Sequence, residues 1–481
     1  MGSSESAVSK EALERLLDVE KLKYCFECGI CTASCSMAEM LGDDYNPREL
    51  LEEIVLSPKT VLNSQGLWFC AWCYRCHSRC PQALRLPEIF LFLRSAAVKH
   101  EYKQSFEKAL RKIVKNIPLP LITSLVCFHP ERAGLGKEQV MQRIEEIRRE
   151  WSRTKRKERL AKTQTGKVAV IGSGPVGLAV AYELSRKGQS VTVYEALPEL
   201  GGMLRKGIPE YRLPKQVLAK EIAFIRDVGV EFRTNKRIGK DLHFEDLWKE
   251  GYKAIFIGAG AHRSQNLKIE GREFDGVVYA LDFLWDSNSG KKIGLGKNVV
   301  VIGGGNVAVD AARTALYLGA EEVTILYRRS RDEMPANLWE VKEAEDQGIK
   351  IEFLVSPKKL LAEKGKVCAV ECVRTQLGEP DETGRRRAVP IEGSEYKRET
   401  DMVILAVGEV PDLKFLPKKI ELKDDGTVWV NPITLETSMP GVYAGGDAVA
   451  GPASVIEAIR DGKRAAESIE NYLRSLKEGR H

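Results

Sequence analysis

The pattern of hydrophobic and polar positions divides the chain near residue 167. Before this point, segments of helical pattern predict helices over residues 11–24, 47–55, 86–103, 106–115 and 138–159. After it, short β-branched runs alternate with helical segments, an order typical of parallel strands joined by helices. The sequence therefore predicts a mainly α-helical N-terminal domain followed by an α/β region.

The α/β region begins with a strand–turn–helix–strand unit. A strand over residues 168–171 leads into a glycine-rich turn, a helix to residue 186 and a second strand over residues 190–194. The first glycine permits the tight bend, the second lets a pyrophosphate approach the backbone, and the third allows helix and strand to pack closely. An acid after the second strand accepts hydrogen bonds from ribose hydroxyls. The predicted dinucleotide-binding residues are Gly172, Gly174, Pro175, Gly177 and Glu195.

A second copy of this unit starts at residue 299. Alanine replaces its third glycine, and Tyr327 stands at the position of the acid, followed by Arg328 and Arg329. Guanidinium groups attract the 2′-phosphate of NADP(H), which a carboxylate would repel. We therefore expect an NADP(H) site here, although the two arginines could instead be ordinary surface charges at a strand end. The turn of this copy contains Gly303, Gly305, Asn306, Val307 and Ala308.

Further glycine-rich strand ends complete the pattern of a flavoprotein. Small residues end predicted strands at Gly260 and Gly408, positions that commonly close two nucleotide-binding domains. A third strand end carries Gly446 and Asp447, and a helix follows from residue 454. In flavoprotein reductases such an aspartate holds the ribityl and phosphate region of the flavin. We therefore predict that Asp447 contacts FAD.

Composition and charge exclude several classes of protein. A length of 481 residues allows about two to four domains, and 43% apolar with 30% charged residues is ordinary for a soluble protein. The net charge of +6 is spread among acids along most of the chain, which argues against nucleic-acid binding. No signal peptide and no apolar run near ~20 residues is present, so we expect a cytoplasmic protein without membrane insertion. With 6 histidines and no Ser/His/Asp constellation, we predict no general-base or hydrolytic residue.

The N-terminal domain carries one cysteine spacing twice. In two-cluster ferredoxins with this C-x₂-C-x₂-C-x₃-C run, three cysteines of one run and the fourth of the other hold each 4Fe–4S cluster. Zinc usually takes two separated ligand pairs, and disulfide frameworks belong to small secreted domains, so both alternatives fit less well. The predicted ligand sets are Cys25, Cys28 and Cys31 with Cys80, and Cys70, Cys73 and Cys76 with Cys35.

Longer motifs in the α/β region point to one family. They are Gly201-Gly202-Met203-Leu204, Tyr211-Arg212-Leu213-Pro214-Lys215, Gly304-Gly305-Asn306-Val307-Ala308-Val309-Asp310, Arg328-Arg329 with Met334-Pro335-Ala336, and Gly445-Gly446-Asp447. With these motifs, the chain from Thr123 onward resembles the small (β) chain of NADPH-dependent glutamate synthase. It is also similar to the N-terminal part of dihydropyrimidine dehydrogenase and to the large subunit of NADH-dependent ferredoxin:NADP oxidoreductase. The resemblance implies an FAD domain interrupted by an NADP(H) domain, and it adds Gly202, Met203 and Arg212 to the cofactor-binding residues.

The cysteine-rich module departs from that family. Of the segment that carries cluster cysteines there, only Cys127 remains. Residues 23–87 instead resemble the iron–sulfur C subunit of heterodisulfide reductase, including Asn46-Pro47-Arg48, Trp68 and Pro81. The chain thus resembles a fusion with an exchanged cluster module, which implies a subunit of a multisubunit complex.

Together these resemblances imply an oxidoreductase subunit that passes electrons between NADP(H), FAD and two 4Fe–4S clusters. Its partners would be other redox subunits, similar to ferredoxin, an NADH diaphorase or a hydrogenase, within an electron-bifurcating transhydrogenase or hydrogenase-type complex. A glutamate synthase small chain and a non-catalytic electron-wire subunit remain as alternatives. The implied architecture is two Rossmann-like domains behind a helical, ferredoxin-like one: a cluster domain over residues 1–105, a helical linker over 106–166, the FAD domain over 167–287 and 403–481, and the NADP(H) domain over 288–402.

Overall fold

The computed structural model describes residues 25, 27–159, 166–381 and 384–479. The chain forms two compact units, of which the first takes residues 1–201, 215–260 and 413–481, and the second takes residues 202–214 and 261–412. The helix predicted over residues 11–24 lies outside the described residues. Within the described part of the chain, no helix is both long and apolar enough to cross a membrane.

The N-terminal part of the first unit is helical, as predicted. Asn46 caps the third of its helices by accepting a hydrogen bond from the backbone N–H of Arg48 at 3.1 Å, and Pro47 occupies the first helical position, where its missing N–H costs nothing. The helices are Ile30–Ala33, Ser36–Leu41, Pro47–Leu56, Pro58–Val61, Arg75–Arg79, Leu86–Lys99, Lys103–Asn116, Pro120–Thr123 and Lys137–Arg159, with a π-helical turn at Ser124–Phe128.

The helices predicted over residues 86–103 and 106–115 are both present, with different ends. The first ends at Lys99, and Glu101 adopts a φ of +59°, which no residue inside a right-handed helix can have. The second begins at Lys103 and contains the amphipathic segment predicted over residues 106–115. The prediction of two helices is therefore confirmed, and the break between them lies at residues 100–102 and not at residues 104–105.

A five-stranded parallel sheet forms the centre of the α/β part of the first unit. Its strands lie in the order Val442–Ala444, Ala254–Ile257, Lys167–Ile171, Ser190–Tyr194 and Glu231–Arg233. Their side chains are mostly buried because helices cover the sheet, and this explains the continuous β-branched runs. The accompanying helices are Pro175–Arg186, Lys215–Asp227, Phe244–Lys249, Asp447–Ala450 and Val455–Lys477.

The second unit repeats this architecture and adds a meander. Its five parallel strands lie in the order Val277–Tyr279, Met402–Leu405, Asn298–Ile302, Glu322–Tyr327 and Lys350–Phe353. Its helices are Met203–Lys206, Ala280–Asn288, Asn306–Tyr317 and Leu338–Asp346. An antiparallel sheet, absent from the sequence-based prediction, is formed by Val355–Glu363, Lys366–Pro380, Arg386–Pro390 and Tyr396–Glu399.

The units divide at other residues than the predicted domains do. The boundaries expected after residues 287 and 402 fall at residues 260 and 412, and residues 202–214 also join the second unit. The reason is strand pairing: Val277–Tyr279 and Met402–Leu405 are neighbours in the sheet of the second unit. The cysteine-rich module shares the first unit with the first dinucleotide-binding motif.

Candidate functional site

The two cysteine loops have the same backbone turn. In the first loop, Glu27 and Gly29 have φ values of +51° and +74°, and in the second loop Trp72 and Tyr74, at equivalent positions, have values of +52° and +59°. Left-handed residues between right-handed ones turn successive N–H groups toward one point, and such concave nests bind anions and iron–sulfur clusters. The repeated spacing is thus matched by a repeated backbone conformation that fits two clusters.

The second loop lies beside the last cysteine of the first run. The thiol of Cys35, at the N-terminus of helix Ser36–Leu41, receives hydrogen bonds from the backbone of Met37 and Ala38. Burial, together with the neighbouring Cys73 and Cys70, raises the pKa of Cys35 to about 12. The structure therefore brings Cys35 to the second loop, where the predicted ligand set requires it.

The first loop is more open to solvent. Cys28 is exposed, while Cys25, Cys31 and Cys80 are partly buried. Among the described residues, no group of three or more His, Cys, Asp or Glu stands close enough to hold a single metal ion.

The first dinucleotide turn is shaped by close backbone contacts. A Cβ atom on Gly172 would lie 2.3 Å from the carbonyl oxygen of Gly258, and one on Gly177 would lie 2.0 Å from that of Gly172. A Cβ on Gly174, at the N-terminus of helix Pro175–Arg186, would meet nothing within 4 Å. Glycine at this second position of the motif is therefore not required by packing, and it leaves room for a pyrophosphate at the helix N-terminus.

Glu195 stabilises this turn. Its Oε2 accepts hydrogen bonds from the N–H of Ser173 at 3.0 Å and from the Ser173 hydroxyl at 2.5 Å, and its Oε1 accepts one from the N–H of Leu197 at 2.9 Å. The carboxylate is buried. Because each carboxylate oxygen can accept a further bond, the predicted contact with a ribose remains possible beside this structural role.

The aspartate after the last strand has the character of a ligand-binding group. Asp447 Oδ1 accepts a hydrogen bond from the N–H of Ala453 at 3.2 Å, and burial raises its pKa to about 6. The preceding Gly446 has a φ of +62°, and its N–H donates to Asp461 at 3.2 Å. A desolvated carboxylate with so few donors fits the hydroxyl groups of a flavin side chain. Gly260, at another strand end of the same unit, also has a positive φ, of +67°.

The second dinucleotide turn has the same backbone geometry. A Cβ on Gly303 would lie 2.1 Å from the carbonyl oxygen of Ala406, and one on Gly305 would meet nothing within 4 Å. Asn306 Oδ1 accepts a hydrogen bond from the N–H of Asn337 at 2.8 Å, and Ala308 is fully buried. The close backbone contact at the first glycine and the open space at the second thus recur in this turn. Val307 packs against the core of the unit. Gly408, at the end of a neighbouring strand, has a φ of +115°.

The two arginines after Tyr327 have different environments. Arg328 is exposed and forms no side-chain ion pair with any residue that the structure describes. Arg329 is buried, and its guanidinium donates to the carbonyl oxygen of Arg386 and to Asp381, both at 2.6 Å. Of the two predicted phosphate ligands, only Arg328 has its guanidinium available.

Arg212 is also engaged within the protein. Its Nη1 donates to both carboxylate oxygens of Asp310 at 2.8 Å, and Nη2 lies 3.5 Å from Glu340. Asp310 belongs to the helix that follows the second glycine-rich turn. The structure thus gives Arg212 a role in supporting that helix, while Gly202 and Met203 form the start of the short helix Met203–Lys206.

The second cysteine loop contacts the helix that follows Asp447. Arg75, between Cys73 and Cys76, forms an ion pair with Glu457 in the first turn of helix Val455–Lys477. The Nε of Arg75 also donates to the carbonyl oxygen of Ser34 at 3.1 Å. Sequence reasoning missed this contact, since the two partners are far apart along the chain.

Both parts of the chain are similar to known proteins. Residues 166–462 match the profile of the pyridine nucleotide-disulphide oxidoreductase family, and residues 21–84 match that of the 4Fe–4S dicluster domain. The chain is 49% identical over 320 residues to the NADP(+)-dependent formate dehydrogenase subunit beta of Moorella thermoacetica, which covers 66% of this chain and 45% of the relative. It is 41% identical over 436 residues to the NADPH-Fe(3+) oxidoreductase subunit beta of Geobacter sulfurreducens, with 83% and 63% covered. The chain therefore spans less than two thirds of the length of either relative.

Other similarities cover the reductase part alone. The glutamate synthase (NADPH) small chain of Escherichia coli is 40% identical over 329 residues, which is 64% of this chain and 69% of the relative. Among solved structures, FprA of Mycobacterium tuberculosis in complex with NADPH superimposes with a TM-score of 0.56 at 22% identity, covering 65% of this chain and 86% of FprA. The thioredoxin reductase of T. acidophilum gives 0.50 at 22% identity, with 64% and 98% covered. The two structural similarities establish the fold.

Proposed function

Because the chain belongs to the pyridine nucleotide-disulphide oxidoreductase family and also carries a dicluster domain, we propose that it transfers electrons between NADP(H) and partner subunits. Its cofactors are FAD, NADP(H) and two 4Fe–4S clusters. When bound, the flavin exchanges a hydride with the nicotinamide and single electrons with the clusters. The residues of this chain bind and orient the cofactors, and hydride transfer needs no protein acid or base.

The single observation that carries the proposal is the contact between the second cysteine loop and helix Val455–Lys477. Arg75 connects that loop to Glu457, and Glu457 in turn caps the helix by accepting hydrogen bonds from the N–H and hydroxyl of Ser454. The segment before this helix begins with Asp447, the proposed flavin ligand. The loop and the flavin site thus belong to one packed unit, as direct electron transfer between them requires.

The preference for NADP(H) is proposed to depend on Arg328. The side chain is exposed beyond the strand that follows the second glycine-rich turn, at the position where a 2′-phosphate would lie. Two of the relatives, the formate dehydrogenase and the NADPH-Fe(3+) oxidoreductase subunits, are named for NADP(+) or NADPH. These names support NADPH over NADH as the substrate of this chain.

We propose further that the chain works within a larger complex. The two relatives just named are beta subunits of their enzymes. The exposed position of Cys28 would let the first cluster face a partner. The second cluster would lie on the side of the proposed flavin site, because Arg75 of its loop pairs with Glu457. An electron-bifurcating transhydrogenase or hydrogenase-type complex, located in the cytoplasm, is the assembly that we propose from the heterodisulfide-reductase-like module.

A glutamate synthase small chain is the weaker alternative. The similarity to that protein in Escherichia coli covers 64% of the chain, whereas the NADPH-Fe(3+) oxidoreductase subunit covers 83%. A true glutamate synthase small chain should keep the surface that docks on its glutamine-using large chain, and in this chain the cluster module of that family has been exchanged. The match over a larger part of the chain also favours similarity to the NADPH-Fe(3+) oxidoreductase subunit.

Anaerobic reduction of the reconstituted protein by NADPH and, separately, by NADH tests the proposal. We expect NADPH to bleach the visible absorbance of the flavin quickly and then to reduce the clusters, and NADH to act much more slowly. Bleaching by NADH alone would contradict the NADP(H) assignment. If neither nucleotide bleaches the flavin, the electron-wire alternative is favoured.

A further inference from the structure

One buried arginine donates hydrogen bonds to the backbone of the second cysteine loop and of neighbouring segments. Arg94, in helix Leu86–Lys99, is 4% exposed. Its Nε donates to the carbonyl oxygen of Leu67 at 2.8 Å, its Nη2 to that of Cys70 at 2.7 Å, and its Nη1 to that of Phe128 at 3.3 Å. The guanidinium is thus fixed against the backbone of a proposed cluster ligand.

No carboxylate forms an ion pair with Arg94 among the residues that the structure describes. Four arginines are buried among the described residues, and the other three form ion pairs: Arg148 with Glu221, Arg313 with Glu340, and Arg329 with Asp381. All the hydrogen bonds of Arg94 go to neutral carbonyl groups. A buried, unpaired charge costs several kcal/mol, so a nearby anion is expected to compensate it.

The expected anion is the cluster with its four thiolates. Cys70 is the cysteine whose carbonyl group Arg94 binds, and Tyr45, which is also buried, hydrogen-bonds the sulfur of Cys70. Reduction of a cluster adds one electron from the reductant, without forming or breaking a bond. A fixed positive charge in a medium of low dielectric constant stabilises the reduced form more than the oxidised form.

We propose that Arg94 is a positioning residue that raises the reduction potential of the cluster held by Cys70, Cys73, Cys76 and Cys35. This inference rests on the ligand sets and cofactors of the proposed function. The charge of Arg94 makes this second cluster a better electron acceptor, because a buried charge is not screened by solvent ions.

Glu88 provides a matched charge of opposite sign. Glu88 precedes Arg94 in the same helix and is half-buried. Its negative charge raises the pKa of Cys70, whereas the positive charge of Arg94 lowers it. Because Arg94 is fully buried and in contact with the Cys70 backbone, its influence should be the larger of the two. Removal of each charge should therefore shift the same cluster in opposite directions.

The test is an anaerobic potentiometric reduction of the complete holoprotein by dithionite, followed by EPR, in the absence of NADP(H). We expect Arg94→Gln to shift the midpoint of one cluster to a more negative potential and leave the other unchanged. Arg94→Lys, which keeps the charge, should stay close to the wild type. Glu88→Gln should raise the midpoint of the same cluster that Arg94→Gln lowers.

Several results would overturn the proposal. These are unchanged midpoints in Arg94→Gln, an equal shift of both clusters, or an Arg94→Lys variant as low as Arg94→Gln, which would make hydrogen bonding the cause instead of charge. If Arg94→Gln loses iron, Glu88→Gln decides alone: a raised midpoint supports the proposal and an unchanged one refutes it. Since no nucleotide is present, a failure of the NADP(H) assignment would appear separately, in the reduction by NADPH.

Discussion

Replacement of Arg328 by alanine should remove most of the preference of the chain for NADPH over NADH. The side chain is exposed at the end of strand Glu322–Tyr327, and it has no ion pair among the residues that the structure describes. Its guanidinium is therefore available to the 2′-phosphate, which NADH lacks. The loss should affect NADPH and leave the weak use of NADH nearly unchanged.

The magnitude follows from the kind of contact. A hydrogen bond to a charged group contributes about 1.5–3 kcal/mol. Since 1.4 kcal/mol corresponds to a tenfold change in affinity, the NADPH concentration for half-maximal flavin reduction should rise by about 10- to 150-fold. The exposure of Arg328 to solvent favours the lower part of this range, because water and salt screen the attraction.

Arg329 is the matched control, since it has the same chemistry one residue later. Its buried guanidinium binds Asp381 and the carbonyl oxygen of Arg386, so Arg329→Ala removes an internal ion pair. We expect this variant to unfold at a lower temperature and to impair the use of NADPH and NADH alike. Arg328→Ala should unfold at the temperature of the wild type.

Stopped-flow flavin reduction at varied NADPH and NADH concentrations, together with thermal unfolding, measures both effects. The reasoning is refuted if Arg328→Ala keeps the ratio between the two nucleotides. It is also refuted if Arg329→Ala loses the preference without any loss of thermal stability, because Arg329 would then bind the phosphate.

Three further variants test other parts of the site. Gly172→Ala places a methyl group 2.3 Å from a backbone carbonyl oxygen, so we expect protein that retains little FAD, measured by the ratio of flavin to protein absorbance. Arg212→Met leaves the buried carboxylate of Asp310 without its bidentate partner and should cost about 3 kcal/mol in urea unfolding, a loss that a second change, Asp310→Asn, should partly restore. Arg75→Ala breaks the ion pair with Glu457. It should slow the reduction of the clusters by NADPH, measured by rapid freezing and EPR, while the reduction of the flavin stays unchanged. Equal slowing of both steps would contradict the proposed electron path.

Local patterns in the sequence predicted the strand, turn and helix of each dinucleotide unit, but not the backbone conformation of the cysteine loops. The cysteine spacing corresponds to two loops in which Glu27 and Gly29, and likewise Trp72 and Tyr74, take left-handed conformations. The glycine-rich turns were predicted with their strands and helices because each of these features extends over only a few neighbouring residues. That the eight cysteines of the two runs bind two clusters in the predicted sets stays a prediction.

Pairing between distant segments could not be predicted in the same way. Arg328 and Arg329 are indistinguishable in the sequence, and they differ in the structure because Asp381, in the loop between two strands of the unpredicted meander, binds only the second. Arg94 did leave a signal, a lone charge after the apolar run Ile89–Leu93, but its meaning depends on carbonyl groups from other segments. Local spacing thus identifies a site, and tertiary pairing decides which side chains remain available.

The position of the acid in the two dinucleotide turns shows why both local spacing and tertiary contacts are needed to interpret a site. In the first turn, Ser173 donates its hydroxyl and N–H to Glu195. In the second, Gly304 replaces the serine, and a Cβ there would lie 2.3 Å from the ring of Tyr327, which replaces the acid. The two exchanges compensate each other, since a small residue makes room for a large ring where a hydroxyl had paired with a carboxylate. The change from Glu195 to Tyr327 is therefore a packing change as well as the loss of a predicted ribose ligand. It leaves Arg328, the next residue along the chain, as the residue that we propose to discriminate the 2′-phosphate.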